Sequence, residues 1–187
     1  MRRFSSIISA IVVSFLLMAF YSKQPSDKKH EYIGVKKCGM CHKKEKDGAQ
    51  LKIWEESDHA KAYKTLQSAE SDKIAKELGH TTKAVETEAC LKCHAPAHNV
   101  DAKLLGKKFK IEDGVQCEDC HGAGDDYKSM KVMKDRAKSI ENGLIVYEDE
   151  AAIEKQCITC HNEESPTYKP FVFAEKYAKI KHNIPKN

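Results

Sequence analysis

Cys117-Glu118-Asp119-Cys120-His121 is one of four copies of a single pattern, Cys-x-x-Cys-His. The others are Cys38-Gly39-Met40-Cys41-His42, Cys90-Leu91-Lys92-Cys93-His94 and Cys157-Ile158-Thr159-Cys160-His161. Together they use all eight cysteines of the 187-residue chain. The spacing has a chemical reading. Two thiols so placed add to the two vinyl groups of one haem as thioethers, and the following His lies under the iron as proximal ligand. The cofactor-binding residues are therefore expected to be Cys38, Cys41, Cys90, Cys93, Cys117, Cys120, Cys157 and Cys160. His42, His94, His121 and His161 are the expected proximal metal ligands, and four haem c groups the expected cofactors.

Other uses of eight cysteines fit less well. A disulfide framework gives no reason for a His after every second Cys. Zinc would take two Cys-x-x-Cys pairs without needing that His. A thioredoxin-like redox pair needs one motif, not four.

The chain's N-terminus agrees with covalent haem, which is attached outside the cytoplasm. Arg2 and Arg3 precede an apolar run from Ile7 to Tyr21, and no acidic residue occurs before Asp27. Residues 1–22 read as a signal peptide, with 23–187 as one tetrahaem domain. Retained instead of cleaved after Ala19, the stretch from Phe4 to Tyr21 would tether the protein to the inner membrane, though its four serines weaken it as a span. The expected location is the periplasm.

Five further histidines, His30, His59, His80, His98 and His182, form the pool of distal ligands. His59 lies in a helical stretch, Leu51–Leu66, with small Ala60 and Ala62 beside it to let a haem approach. His182 follows Phe171, Phe173, Tyr177 and Ile180, a second apolar-patterned stretch. His30 stands eight residues before the first motif. These three are the expected distal ligands. His98, four residues past His94, reads by default as a surface residue, with another haem as the alternative. His80 reads as a helix-end residue after Gly79. Met130 and Met133 are the sulfur alternatives, or ordinary core packing.

Charge and composition add bounds. The net charge is +4, from 32 basic against 28 acidic residues, too slight for a polybasic nucleic-acid binder. Loss of Arg2 and Arg3 with the signal would leave +2, and the propionates of four ferric haems would bring that to about −2. Mean hydropathy is −0.61, so side chains alone make a thin core, and haem macrocycles are expected to fill it. The motifs are separated by 47, 22 and 35 residues, which is no fixed repeat. Between them, helices are expected over Ile53–Leu78 with a break near Ser71, over Tyr127–Asn142, and over Glu150–Cys157. A short hairpin is expected over Gly106–Val115. The expected fold is mainly α, a multihaem cytochrome c fold with irregular loops wrapped around four covalent haems.

The order of elements from about residue 32 to 184 resembles the tetrahaem cytochrome c-554 family. The likeness rests on Gly34-Val35-Lys36-Lys37-Cys38, on Trp54-Glu55-Glu56-Ser57-Asp58-His59-Ala60-Lys61-Ala62, on Gly114-Val115-Gln116-Cys117 through Gly124, and on Phe171–His182. The Trp54–Ala62 element is the most specific of these. The resemblance implies a periplasmic electron carrier with closely paired haems. It implies that His59 caps the third haem, that His182 caps the fourth, and that the second can lack a strong distal ligand. The family often has a His soon after the third motif, serving the first haem; here no His follows His121 before His161. Met130, Met133 or His30 is left to supply that ligand, or the iron is open.

The function expected is single-electron transfer between redox partner proteins, with Lys36–Lys46 and Lys103–Lys110 either guiding docking or forming ordinary solvated faces. The rival is a haem enzyme acting on a small nitrogen oxide or hydroxylamine at one open iron.

Overall fold

A computed structural model describes residues 29–183. The export segment expected over 1–22 lies outside them. Ten α-helices follow in order: α1 Val35–His42, α2 Gln50–Glu56, α3 Ala62–Leu66, α4 Ala69–Glu77, α5 Glu88–His94, α6 Cys117–His121, α7 Met130–Met133, α8 Arg136–Glu141, α9 Glu150–Cys157 and α10 Phe173–Ala178. Short 3-10 turns join several of them. Among the described residues there is no β-strand, only one isolated parallel bridge between Tyr32 and Leu105. The mainly α expectation holds.

Among the described residues no helix exceeds nine residues, well under the ~12–15 that stand alone in water. Each must be held by what it packs against. Capping residues cut the helices short. The long helix expected from Ile53 is interrupted first at Ser57, whose backbone is extended and whose Oγ donates to the Trp54 carbonyl at 2.7 Å. A second break comes at Ser68, whose side chain accepts the Ser71 N–H at 3.1 Å and starts α4. The start therefore lies three residues before the expected Ser71. The Tyr127–Asn142 helix is likewise split, because Ser129 caps α7 and Asp135 caps α8.

Other boundaries fall where expected. Asp149 caps α9, accepting the Ala152 N–H at 2.8 Å. Gly79, at φ +85°, ends α4. The Gly79 N–H donates to the Lys76 carbonyl and the His80 N–H to the Ala75 carbonyl, the paired bonds of a Schellman stop. So His80 is a helix-end residue through its backbone. The Gly106–Val115 hairpin does not form. Tyr32 donates to the Leu104 carbonyl at 2.7 Å and accepts from the Gly106 N–H at 2.8 Å, so this segment pairs with the chain entering α1 instead of with itself.

The core is thin. The buried apolar residues are Ile33, Val35, Leu66, Ala75, Ala84, Ala95, Ala97, Ala123 and Tyr127, five of them alanine. Leu66, Ala75 and Ala84 form a cluster with Val85, Cys90 and Leu91, packing α3, α4 and α5 together. Large apolar side chains meanwhile lie exposed: Met40, Ile145, Ile158 and Val172 among them.

Candidate functional site

Three of the four motifs lie wholly on helices, α1, α5 and α6. The fourth begins at the last residue of α9, and its His161 N–H still bonds the Cys157 carbonyl at 3.0 Å. A helical turn brings both cysteines and the His of a motif to one end of one element. All eight cysteines are free of disulfides.

The motifs form a contiguous series. Cys38 of the first lies close to Cys117 of the third, and Glu118 of the third accepts the N–H groups of Ile33 and Gly34 just before the first. Cys120 of the third lies close to Cys157 and Cys160 of the fourth. Cys160 lies close to Cys93 of the second, and Lys92 of the second donates to Glu164 just past the fourth at 2.7 Å. The spatial order is therefore first, third, fourth, second. Burial pushes the Cys120 thiol up to about 12 and the Cys93 thiol to about 11, with Cys160 beside it adding to the rise. Both would be neutral thiols at neutral pH until converted to thioethers, which do not titrate.

The histidines pair across the series. The His59 and His161 rings are 6.1 Å apart between centroids, and the His121 and His182 rings 5.9 Å. Two metal–imidazole bonds of about 2 Å each, with two ring radii of a little over 1 Å, come to roughly 6 Å. Both pairs are spaced as two imidazoles on one metal ion would be. The pairing is the reverse of what the resemblance implied: His59 faces the fourth-motif His and His182 the third-motif His. Burial, and then the facing imidazole, lowers the proton affinity of His59 and of His121; burial lowers that of His161 as well, with Lys176 adding to it. Neutral imidazole is the form that binds a metal. His94 turns Nδ1 to the Ala62 carbonyl at 2.8 Å, and His182 turns Nδ1 to the Ile180 carbonyl at 3.1 Å, which leaves Nε2 of each as the metal-binding nitrogen.

The surroundings suit an apolar macrocycle. Exposed Met40 and Ile158 are the interior residues of the first and fourth motifs. Ile145 donates its N–H to the His121 carbonyl at 2.9 Å. Phe171 stacks on His161 at 4.8 Å, beside exposed Val172.

His59 is positioned by the approach to the third motif. Trp54 Nε1 donates to the Val115 carbonyl at 2.8 Å, and the Val115 N–H donates to the His59 carbonyl at 3.1 Å. This explains why the Trp54–Ala62 element and Gly114-Val115 belong together. His30 holds Asp126 through Nδ1 at 2.7 Å, and the edge of its ring lies against Gly143. Met130 is 69% exposed on α7 and Met133 is half-buried.

Sequence reasoning missed one residue that organises the site. Glu118, an interior residue of the third motif, is buried and accepts the N–H groups of Ile33, Gly34 and Gly124 at 2.9, 2.7 and 2.7 Å. It ties the chain entering α1 to α6. Burial raises its carboxyl, and the three N–H donors pull it back. No local pattern marks it, because its partners at 33 and 34 are distant in the chain. Tyr127 and Tyr147 also clamp α6, donating to the Gly122 carbonyl at 2.7 Å and the Cys120 carbonyl at 2.9 Å.

Motifs, helices and paired histidines define a c-type cytochrome, a haem protein of electron transfer. Residues 37–122 match the family model described as cytochrome c554 and c-prime. Cytochrome c-554 of Nitrosomonas europaea is 28% identical over 173 residues, covering 87% of this chain and 71% of that protein. No solved structure matches. Both matches are to the cytochrome c-554 family. Members of that family are typically exported. Among the described residues no helix is long and apolar enough to cross a membrane.

Proposed function

We propose that the protein is a periplasmic tetrahaem carrier passing single electrons between redox partner proteins. The observation that carries this reading is the contiguous series of motifs, first–third–fourth–second, which gives an electron a run of neighbouring sites. Each haem, when bound, supplies an iron that takes up and gives back one electron.

The chain's own residues do the rest. Cys38 and Cys41, Cys90 and Cys93, Cys117 and Cys120, and Cys157 and Cys160 fix each group at two points. His42, His94, His121 and His161 hold the proximal side. His59 and His182 hold the distal side for the fourth and third motifs, and a third distal nitrogen comes from His30 or His98. Where two imidazoles would hold an iron, electrons would pass without substrate binding, and fixed ligands would keep reorganisation small. The haems complete the core that the alanines leave thin. Residues 1–22 direct export, and lysines over 36–46 and 103–110 meet the partners through brief charged contacts.

The test uses the mature protein. Intact mass and haem content are expected to show four covalent haems, and reductive titration four reversible one-electron steps. Fewer haems would sink the tetrahaem reading. Sustained turnover of nitrite, nitric oxide or hydroxylamine would replace the carrier with the enzyme.

A further inference from the structure

We infer that His98 is a distal iron ligand, serving the haem of the first motif. The inference rests on the tetrahaem reading and assigns a ligand which that reading leaves open. Both ring nitrogens of His98 are shut off from solvent, and neither has a hydrogen-bond partner among the described residues. A buried imidazole without any partner is costly, and native structures seldom keep one unless a metal, ion or water answers it. In a chain with four Cys-x-x-Cys-His motifs, iron is the group at hand.

Elimination selects the iron. His59 faces His161 and His182 faces His121, so the third and fourth motifs have their second imidazoles. His94 is only four residues from His98. Even a fully extended tetrapeptide spans about 14 Å, and this one is coiled, with the His98 N–H bonded to the Ala95 carbonyl at 2.9 Å. It cannot pass around a porphyrin edge to the opposite face. The first motif remains. Position agrees: just past His98, Asn99, Val100, Asp101 and Leu104 line a cleft with Tyr32, a cleft that His30 also lines. Tyr32 leads directly into α1, which ends at His42. Buried Ala95 and Ala97 flank the turn with small side chains. The rival, His30, has Nδ1 committed to Asp126, and its Nε2 lies 3.1 Å from where a Cβ on Gly143 would stand.

The experiment compares ferric EPR and optical spectra of the holoprotein with His98→Ala, His98→Met and His30→Ala, after mass spectrometry has counted haems in each. His98→Ala is expected to raise the number of high-spin haems by one of four, with added imidazole restoring the low-spin signal. His98→Met, which keeps a ligand if the alanine variant fails to mature, is expected to stay low-spin and gain a Met–iron charge-transfer band. His30→Ala is expected to leave the spin count unchanged. Four covalent haems with an unaltered low-spin count in His98→Ala, or a wild-type spectrum in His98→Met, overturns the assignment, as does a high-spin conversion by His30→Ala. A wild-type protein with fewer than four haems overturns the tetrahaem reading itself, a separate result.

Discussion

The imidazole of His59 lies 6.1 Å from that of His161, inclined at 43°, although 101 intervening residues separate them in the chain. His59 therefore faces the fourth motif's His. Replacing His59 by Ala is expected to convert one low-spin haem to high-spin. The haem concerned can be identified by epistasis. In a Cys157→Ala, Cys160→Ala background lacking the fourth haem, His59→Ala should add no further high-spin signal. An additional signal in that background would place His59 on another iron.

The complementary pair makes an independent prediction. His121 and His182 are 5.9 Å apart between ring centroids, and His182 sits at the end of the chain's described residues, five beyond Tyr177 of α10. Cutting the chain after Ile180 should free one iron while leaving the His59–His161 pair intact. The expected spectrum has one extra high-spin haem, and a His182→Ala change should reproduce it. Divergent spectra from the two variants would mean that the truncation acts through packing, not ligation.

What was legible in the sequence was local. The motif spacing carries its chemistry within five residues, the Asp149 cap acts three residues on, and the Gly79 stop closes within one turn. The partner of each distal His was not legible, because it depends on which helices meet. Nor was the partner of Gly106, which the alternation over 106–115 suggested was in the same segment; Tyr32 offered a better-placed donor and acceptor. Glu118 shows the same limit. Between two cysteines it reads as filler, and only the fold brings three N–H groups to it.

Glu118 should accordingly be sensitive to substitution. In Glu118→Gln the amide nitrogen would face an N–H donor, either that of Gly34 or those of Ile33 and Gly124, and two donors repel. A loss of about 1–3 kcal/mol is expected. Glu118→Ala leaves three N–H groups unanswered and should cost more, and it should loosen the first motif against the third. Thermal unfolding of the holoprotein measures both. A Gln variant as stable as wild type would mean that water replaces these bonds.

Covalent haem should decide whether the chain folds. With alanine at five of nine buried apolar positions and large apolar side chains exposed at the motifs, burial within the protein is slight. A chain with all eight cysteines replaced by alanine is expected to lack a cooperative thermal transition by circular dichroism. A sharp transition in that variant would show that the side chains suffice.

Gly114 tests how tightly the third motif's approach governs His59. Its φ is +72°, a region costly to any residue with a Cβ, and a Cβ there would stand 2.7 Å from the His59 carbonyl oxygen and 3.2 Å from the Tyr63 nitrogen. Both are backbone atoms, so the clash cannot be relieved by a rotamer. Gly114→Ala must therefore shift the turn that carries His59, which the Val115 N–H also holds. Gly79 supplies the control. Its φ is +85°, yet nothing lies within 4 Å of its Cβ position, so Gly79→Ala bears only the conformational cost of about 1–2 kcal/mol. Gly114→Ala is expected to lose more stability than Gly79→Ala and, unlike it, to shift the EPR g-values of one low-spin haem, since those values follow the orientation of the axial rings. If both variants leave the spectrum untouched, His59 is positioned by its own helix and not by Gly114-Val115.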